Sequence, residues 1–200
     1  MSLPTDQMLP ADDVFDAALA WRDAGKPVAL ATVVSTWGSS PRPPGSHLGV
    51  SADGEMTGSV SGGCIEGAVV KEALDILKGA PAQVLDFGVT DQQAWDVGLA
   101  CGGAVKVLVR DFAPLIPLYT QARAALISGE PSALVTRLDS GETVALDAGG
   151  LPDAVAEAAR KALKDDRSRA YSGDDGDWFI EIVAPPRRLI VVGAVHIAQA

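Results

Sequence analysis

The stretch Gly58-Ser59-Val60-Ser61-Gly62-Gly63-Cys64-Ile65-Glu66-Gly67 joins an apolar segment to a glycine turn and then to a periodic segment, and that strand–turn–helix reading decides the fold. Downstream, Ile65, Val69, Ala73, Ile76 and Leu77 recur at helical spacing over about four turns and stop at Gly79 and Pro81. Upstream, His47 to Val50 and Glu55 to Val60 flank Ser51-Ala52-Asp53-Gly54, where Asp-Gly suits a tight hairpin. Val28 to Thr36 is apolar or β-branched almost throughout, as a strand covered on both faces should be. Asp12 to Ala24 puts Val14, Phe15, Ala18 and Leu19 on one helical face, closed by Gly25.

Beyond the central helix the alternation continues. Gln83 to Phe87 and Ala104 to Phe112 read as strands, the latter with Lys106 and Arg110 as its charges, and Asp91 to Ala100 reads as irregular. Pro117 opens a helix to Ser128. Ala133 to Leu138 and Glu142 to Leu146 form a hairpin about Asp139-Ser140-Gly141, Pro152 starts a further helix, and Trp178 to Val183 is an edge-like strand. Alternating strands and helices predict an α/β fold with a mixed sheet and flanking helices over residues 11–184. Pro185-Pro186-Arg187-Arg188 marks a boundary, after which residues 188–200 read as the first strand and turn of a truncated Rossmann-like domain.

Composition narrows the function. The 200 residues carry a formal charge of -10, which disfavours nucleic acid and anionic membranes as partners. Arg167 and Arg169, beside Asp165 and Asp166, read as a solvated helix end. The longest apolar runs are far short of the roughly 20 residues that cross a bilayer, and residues 1–10 do not read as a signal peptide. Two cysteines make no disulfide framework, and a cytoplasmic location is expected.

Those two cysteines, Cys64 and Cys101, each stand against a glycine pair. A glycine turn leading into a helix exposes backbone N–H groups to an anion, and a thiol there should be drawn toward its thiolate form. Inert packing of Cys64 is the plain alternative; the repetition of the pattern at Cys101-Gly102-Gly103 favours one shared site. His47, Cys64, Cys101 and His196 lie too far apart in sequence for structural zinc, which prefers short spacings. Glu66 most simply complements the helix dipole. Arg42 offers a planar fork to a phosphate or pterin-like edge, or is an exposed loop charge. His47 reads equally as a satisfied strand histidine, and Trp37 is the tryptophan placed to line a pocket.

Gly38-Ser39-Ser40-Pro41-Arg42-Pro43-Pro44-Gly45, then Gly58 to Gly67, then Gly98-Leu99-Ala100-Cys101-Gly102-Gly103 together resemble the XdhC/CoxI family of accessory proteins. The tail from Arg188 resembles the opening of that family's Rossmann-like domain, with Val195 where a glycine is expected. The resemblance implies a chaperone that carries the molybdenum cofactor (molybdopterin) without using it. It would hold the cofactor for sulfuration by a cysteine desulfurase and pass it to a xanthine dehydrogenase-type molybdoenzyme, itself being a homo-oligomer. Arg42, Ser61, Gly62, Gly63, Cys64, Glu66, Cys101, Gly102 and Gly103 are then the expected cofactor-binding residues, with Cys64 and Cys101 as metal ligands and none catalytic. A thiol-dependent small-molecule oxidoreductase or transferase using Cys64 is the competing reading; it lacks an obvious His base, since neither histidine is near Cys64 in sequence, although folding could bring His47 close.

Overall fold

A computed structural model describes residues 14–88 and 103–185. Among these, the first part of the chain runs α1 (Val14–Asp23), β1 (Val28–Trp37), β2 (His47–Ser51), β3 (Met56–Gly58), α2 (Glu66–Ile76), β4 (Gln83–Phe87) and β5 (Ala104–Asp111). The second part comprises α3 (Ile116–Ile127), β6 (Ser132–Arg137), β7 (Thr143–Ala145), α4 (Asp153–Asp165), β8 (Arg169–Gly173) and β9 (Gly176–Val183). Single 3-10 turns precede α3 at Ala113–Leu115 and follow β7 at Leu146–Ala148.

The strands form two sheets, ordered β3-β2-β1-β5-β4 and β7-β6-β9-β8. The α/β class stands, but one mixed sheet does not: every pairing among the described residues is antiparallel. The reason lies in the crossover. Helix α2 does link two strands of like direction, β3 and β4, yet delivers them to opposite edges of the first sheet, so they never share hydrogen bonds. Strand β8 is the element the sequence hides. Arg169-Ala170-Tyr171-Ser172-Gly173 lacks an apolar period and forms only as an edge, paired through Gly173 and Gly176 to β9.

Side chains alternate across the sheets as the two-residue period requires. One face of the first sheet, with Ala29, Ala31, Val33, Leu48, Val50, Val105, Val107 and Val109, packs on Val69, Ala73 and Ile76 of α2. The other face meets the second sheet, where Val34 and Leu108 touch Phe179. At the end where β1 begins, α1 and α3 fill the space between the sheets, with Ala18, Leu30, Phe112, Leu115, Tyr119 and Leu134 in contact. The outer face of the second sheet is covered by α4 through Val155, Ala159 and Ala162 against Val135 and Ile180. Strand β1 is thus sheathed on both sides, which is why its first seven residues are buried. The α2 and α4 layers enclose two sheets, and the expected tail unit at 188–200 lies outside the described residues.

A polar cluster sits between the sheets. His47 Nε2 lies 2.8 Å from Glu181 Oε1 and its Nδ1 lies 3.1 Å from Thr32 Oγ1, while Tyr119 donates to Glu181 Oε2 at 2.7 Å. Arg110, 2% exposed, donates from Nη1 to Thr136 and Thr143. Burial alone would raise the Glu181 carboxyl; His47, through its charge and hydrogen bond, together with Tyr119 and Arg110, holds it below its ordinary range. Burial and the Glu181 charge push the Tyr119 hydroxyl well above its ordinary range.

Candidate functional site

The site is assembled where β1 ends, β5 begins and α2 starts. Gly62 and Gly63 have φ of 84° and 120°, a backbone that residues with a Cβ rarely adopt, so the turn needs both glycines. That backbone curls the chain around the carboxylate of Glu66. Its oxygens accept from the N–H groups of Val60 (3.2 Å), Ser61 (2.9 Å), Gly62 (3.1 Å) and Gly63 (2.9 Å). They also accept from the hydroxyls of Ser59, at 2.7 Å, and of Ser61. Ser61 Oγ in turn accepts from the N–H groups of Cys64 and Ile65, each at 3.1 Å. Six consecutive backbone donors, from residue 60 to residue 65, are therefore satisfied inside the loop.

The expectation that N–H groups at Gly62 and Gly63 hold a phosphate meets a resident competitor, since Glu66 occupies the anion position. Its expected role at the helix dipole is realised, but as the hub of the loop. Desolvation works to raise its pKa; hydrogen bonds from Ser61, Ser59 and the backbone outweigh it and bring the value to about 2.

The Pro-rich loop gathers the other motifs. A Cβ placed on Gly62 would lie 3.6 Å from Pro41 Cγ, so the glycine turn rests against that loop. On the loop's other side, a Cβ at Gly103 would stand 2.3 Å from the Ser39 carbonyl oxygen and 2.9 Å from that of Trp37, closer than any side chain permits. Gly103 is required there for the third motif to approach. Parts of all three motifs thus converge on residues 37–45, although they are far apart in sequence.

Cys64 is a free thiol, half-buried at the foot of α2, with one side against the core of the first sheet. Gly62 and Gly63 beside it are exposed. Arg42 is exposed, and its guanidinium has no hydrogen-bond or ion-pair partner among the described residues. Cys101 and Gly102 lie outside the described residues, and so does the meeting of the two thiols. Trp37 is 71% exposed and points into solvent, in contrast to the pocket lining its position suggests. His47 is the satisfied strand histidine: register pairs it with Thr32 on the face turned toward the second sheet, whereas α2 and Cys64 pack on the opposite face. It is not the base of a thiol enzyme at Cys64. The buried Arg110–Glu181–Tyr119 cluster escaped the sequence reading, yet strand period could have found it, because Glu181 shares the inward face with Phe179.

No helix among the described residues is long and apolar enough to cross a membrane. The model of the XdhC and CoxI family matches residues 21–88, which include the first two motifs. The molybdenum cofactor insertion chaperone PaoD of Escherichia coli K12 is 33% identical over 96 residues, covering 48% of this chain and 30% of that protein. A protein of Bacillus subtilis 168 described as a probable xanthine dehydrogenase subunit is 25% identical over 172 residues, covering 82% of this chain and 52% of that protein. The crystal structure of a xanthine dehydrogenase from Bacillus halodurans superposes with a TM-score of 0.61 at 19% identity, covering 85% of this chain and 52% of that one, and shares the fold. The chain thus spans about half or less of the length of these relatives. The likeness to the XdhC and CoxI family model thus falls on residues 21–88, the segment that builds β1 to β4.

Proposed function

We infer that this chain acts in maturation of the molybdenum cofactor, binding it as cargo at the junction of the Pro-rich loop, the glycine turn and the Gly103 segment. The convergence of parts of the three motifs on residues 37–45 carries this reading, and the likeness to a protein named as a molybdenum cofactor insertion chaperone supports it. The donor set fits the metal end of such a cargo: a half-buried thiol beside an exposed glycine pair offers a soft sulfur ligand with open access. The glycine turn does not fit the phosphate end, because its donors already serve Glu66.

In this reading Cys64 and Cys101 hold the metal end, and Glu66 keeps residues 60–65 in the shape that presents Cys64. The cargo is sulfurated with the help of a cysteine desulfurase while bound, then delivered to a xanthine dehydrogenase-type enzyme. Purification from a molybdate-supplied host, followed by metal and pterin analysis, tests the assignment. Molybdenum and pterin should accompany the wild-type chain and fall at least tenfold in Cys64→Ser or Cys101→Ser. Wild-type protein free of both, or retention unchanged in both variants, overturns it.

A further inference from the structure

A charged recess lies against the Pro-rich loop, where Arg167 and Arg169 follow the end of α4. Arg169 is the first residue of β8, and Arg167 is in the short link from α4. With Val34, Ser35, Thr36, Pro44, Asp165 and Ser168 they line a cleft of about 520 Å³ between the end of β1 and the start of β8. The loop closes one wall: a Cβ on Gly45 would stand 3.0 Å from Ser168 Oγ.

Charge in this cleft runs against that of the whole molecule. Its charged lining is Arg167 and Arg169 against Asp165, in a chain of net charge -10. Arg169 donates from Nη2 to Asp165 at 2.7 Å and from Nε to the Arg167 carbonyl, leaving Nη1 without an acceptor among the described residues. The Arg167 guanidinium likewise has no hydrogen-bond or ion-pair partner among them. Arg167 is thus available as a planar, multi-donor fork, the group best matched to phosphate oxygens, and Arg169 adds its remaining Nη1 donor. The C-terminal end of α4 opposes an anion here with about half a unit of negative charge, which the cationic excess outweighs.

We propose that this cleft binds the phosphate group of a small phosphate ester, with Arg167 as its main anchor and Arg169 as its second. Resting on the function proposed above, the inference makes this the seat of the cofactor's phosphate end. Pro41, against the glycine turn, and Pro44, in the cleft wall, are three residues apart, a chain span of at most about 11 Å. The glycine turn beside Cys64 and the cleft at Arg167 thus border the same loop.

Titration calorimetry of the whole chain at low salt, with inorganic pyrophosphate as probe, tests the cleft alone. Saturable binding is expected, weakened at least tenfold in Arg167→Gln and further in the Arg167→Gln/Arg169→Gln double variant, with the melting temperature of Arg167→Gln unchanged. Glu66→Gln should bind like wild type. No pyrophosphate binding, binding indifferent to Arg167, or binding that strengthens only in Glu66→Gln overturns the proposal, the last by moving the anion to the glycine turn. Cofactor retention in Arg167→Gln is the second arm. Loss of pyrophosphate binding with full cofactor retention removes the cofactor's phosphate from the cleft yet leaves the maturation role standing; wild-type protein without cofactor refutes that role while the pyrophosphate result still decides the cleft.

Discussion

Replacing Glu66 with Gln removes the charge at the centre of the glycine turn while preserving shape and one acceptor oxygen. The carboxyl's folded value of about 2, against an ordinary 4.5, sets an upper limit of about 3.4 kcal/mol on its preference for the ionised form. The group is only half-buried, so solvent screens much of this, and about 1–2 kcal/mol is the expected loss at neutral pH. For a chain of this length that lowers the melting temperature by about 2–8 °C. The pH dependence has a fixed sign. Because the folded value lies below the unfolded one, the contribution is complete above pH 4.5 and disappears as pH falls toward 2, with more than about half of it gone by pH 3. Urea unfolding of wild type and Glu66→Gln at pH 7, 4 and 3 should therefore show two curves that approach each other as acid is added. A gap that stays constant from pH 7 to pH 3, or no gap at pH 7, would refute the reasoning that an ionised carboxylate organises residues 60–65.

Two further substitutions probe how the site and the sheets are held. Gly103→Ala drives a methyl into the Ser39 and Trp37 carbonyls, so it should cost more than about 2 kcal/mol and change Trp37 emission as the loop is displaced; an unaltered spectrum and melting curve would count against the close approach. Glu181→Gln removes the buried carboxylate charge that His47 pairs with and that Tyr119 and Arg110 face, and should cost about 3–5 kcal/mol at neutral pH. Since Glu181 is held below its ordinary range, that loss should shrink in acid, and urea midpoints that differ equally at pH 7 and pH 4 would contradict it.

Local pattern carried most of the elements because each has a physical signature within a few residues. The strand at Gln83–Phe87 and the helix after Ile65 stand where period and glycine stops put them, and β1 shows the full burial its β-branched run predicts. Strand directions were not legible, since the order of strands depends on where α2 lands, and nothing in residues 66–76 encodes the far edge. Nor was β8, whose strand conformation comes from hydrogen bonding to β9 and not from its own side chains. At the site, the glycines and Cys64 announced a turn, but the sequence could not show that Glu66 folds back into it, because a first-turn glutamate satisfies the helix dipole equally well without doing so. The cleft at Arg167 was hidden for a related reason: the recess exists only once Pro44 and Ser35, distant in sequence, are brought against Arg167 and Arg169.

The placement of β5 bears on where this protein can be cut. The family model's match stops at residue 88, yet the strand made by Ala104–Asp111 is inserted between β1 and β4 and is, among the described residues, the sole hydrogen-bonded neighbour of β4. A fragment ending with the recognisable region would lose the middle of its own sheet, stranding Gln83–Phe87 and baring the valines beneath α2. Any minimal version must extend at least through Asp111.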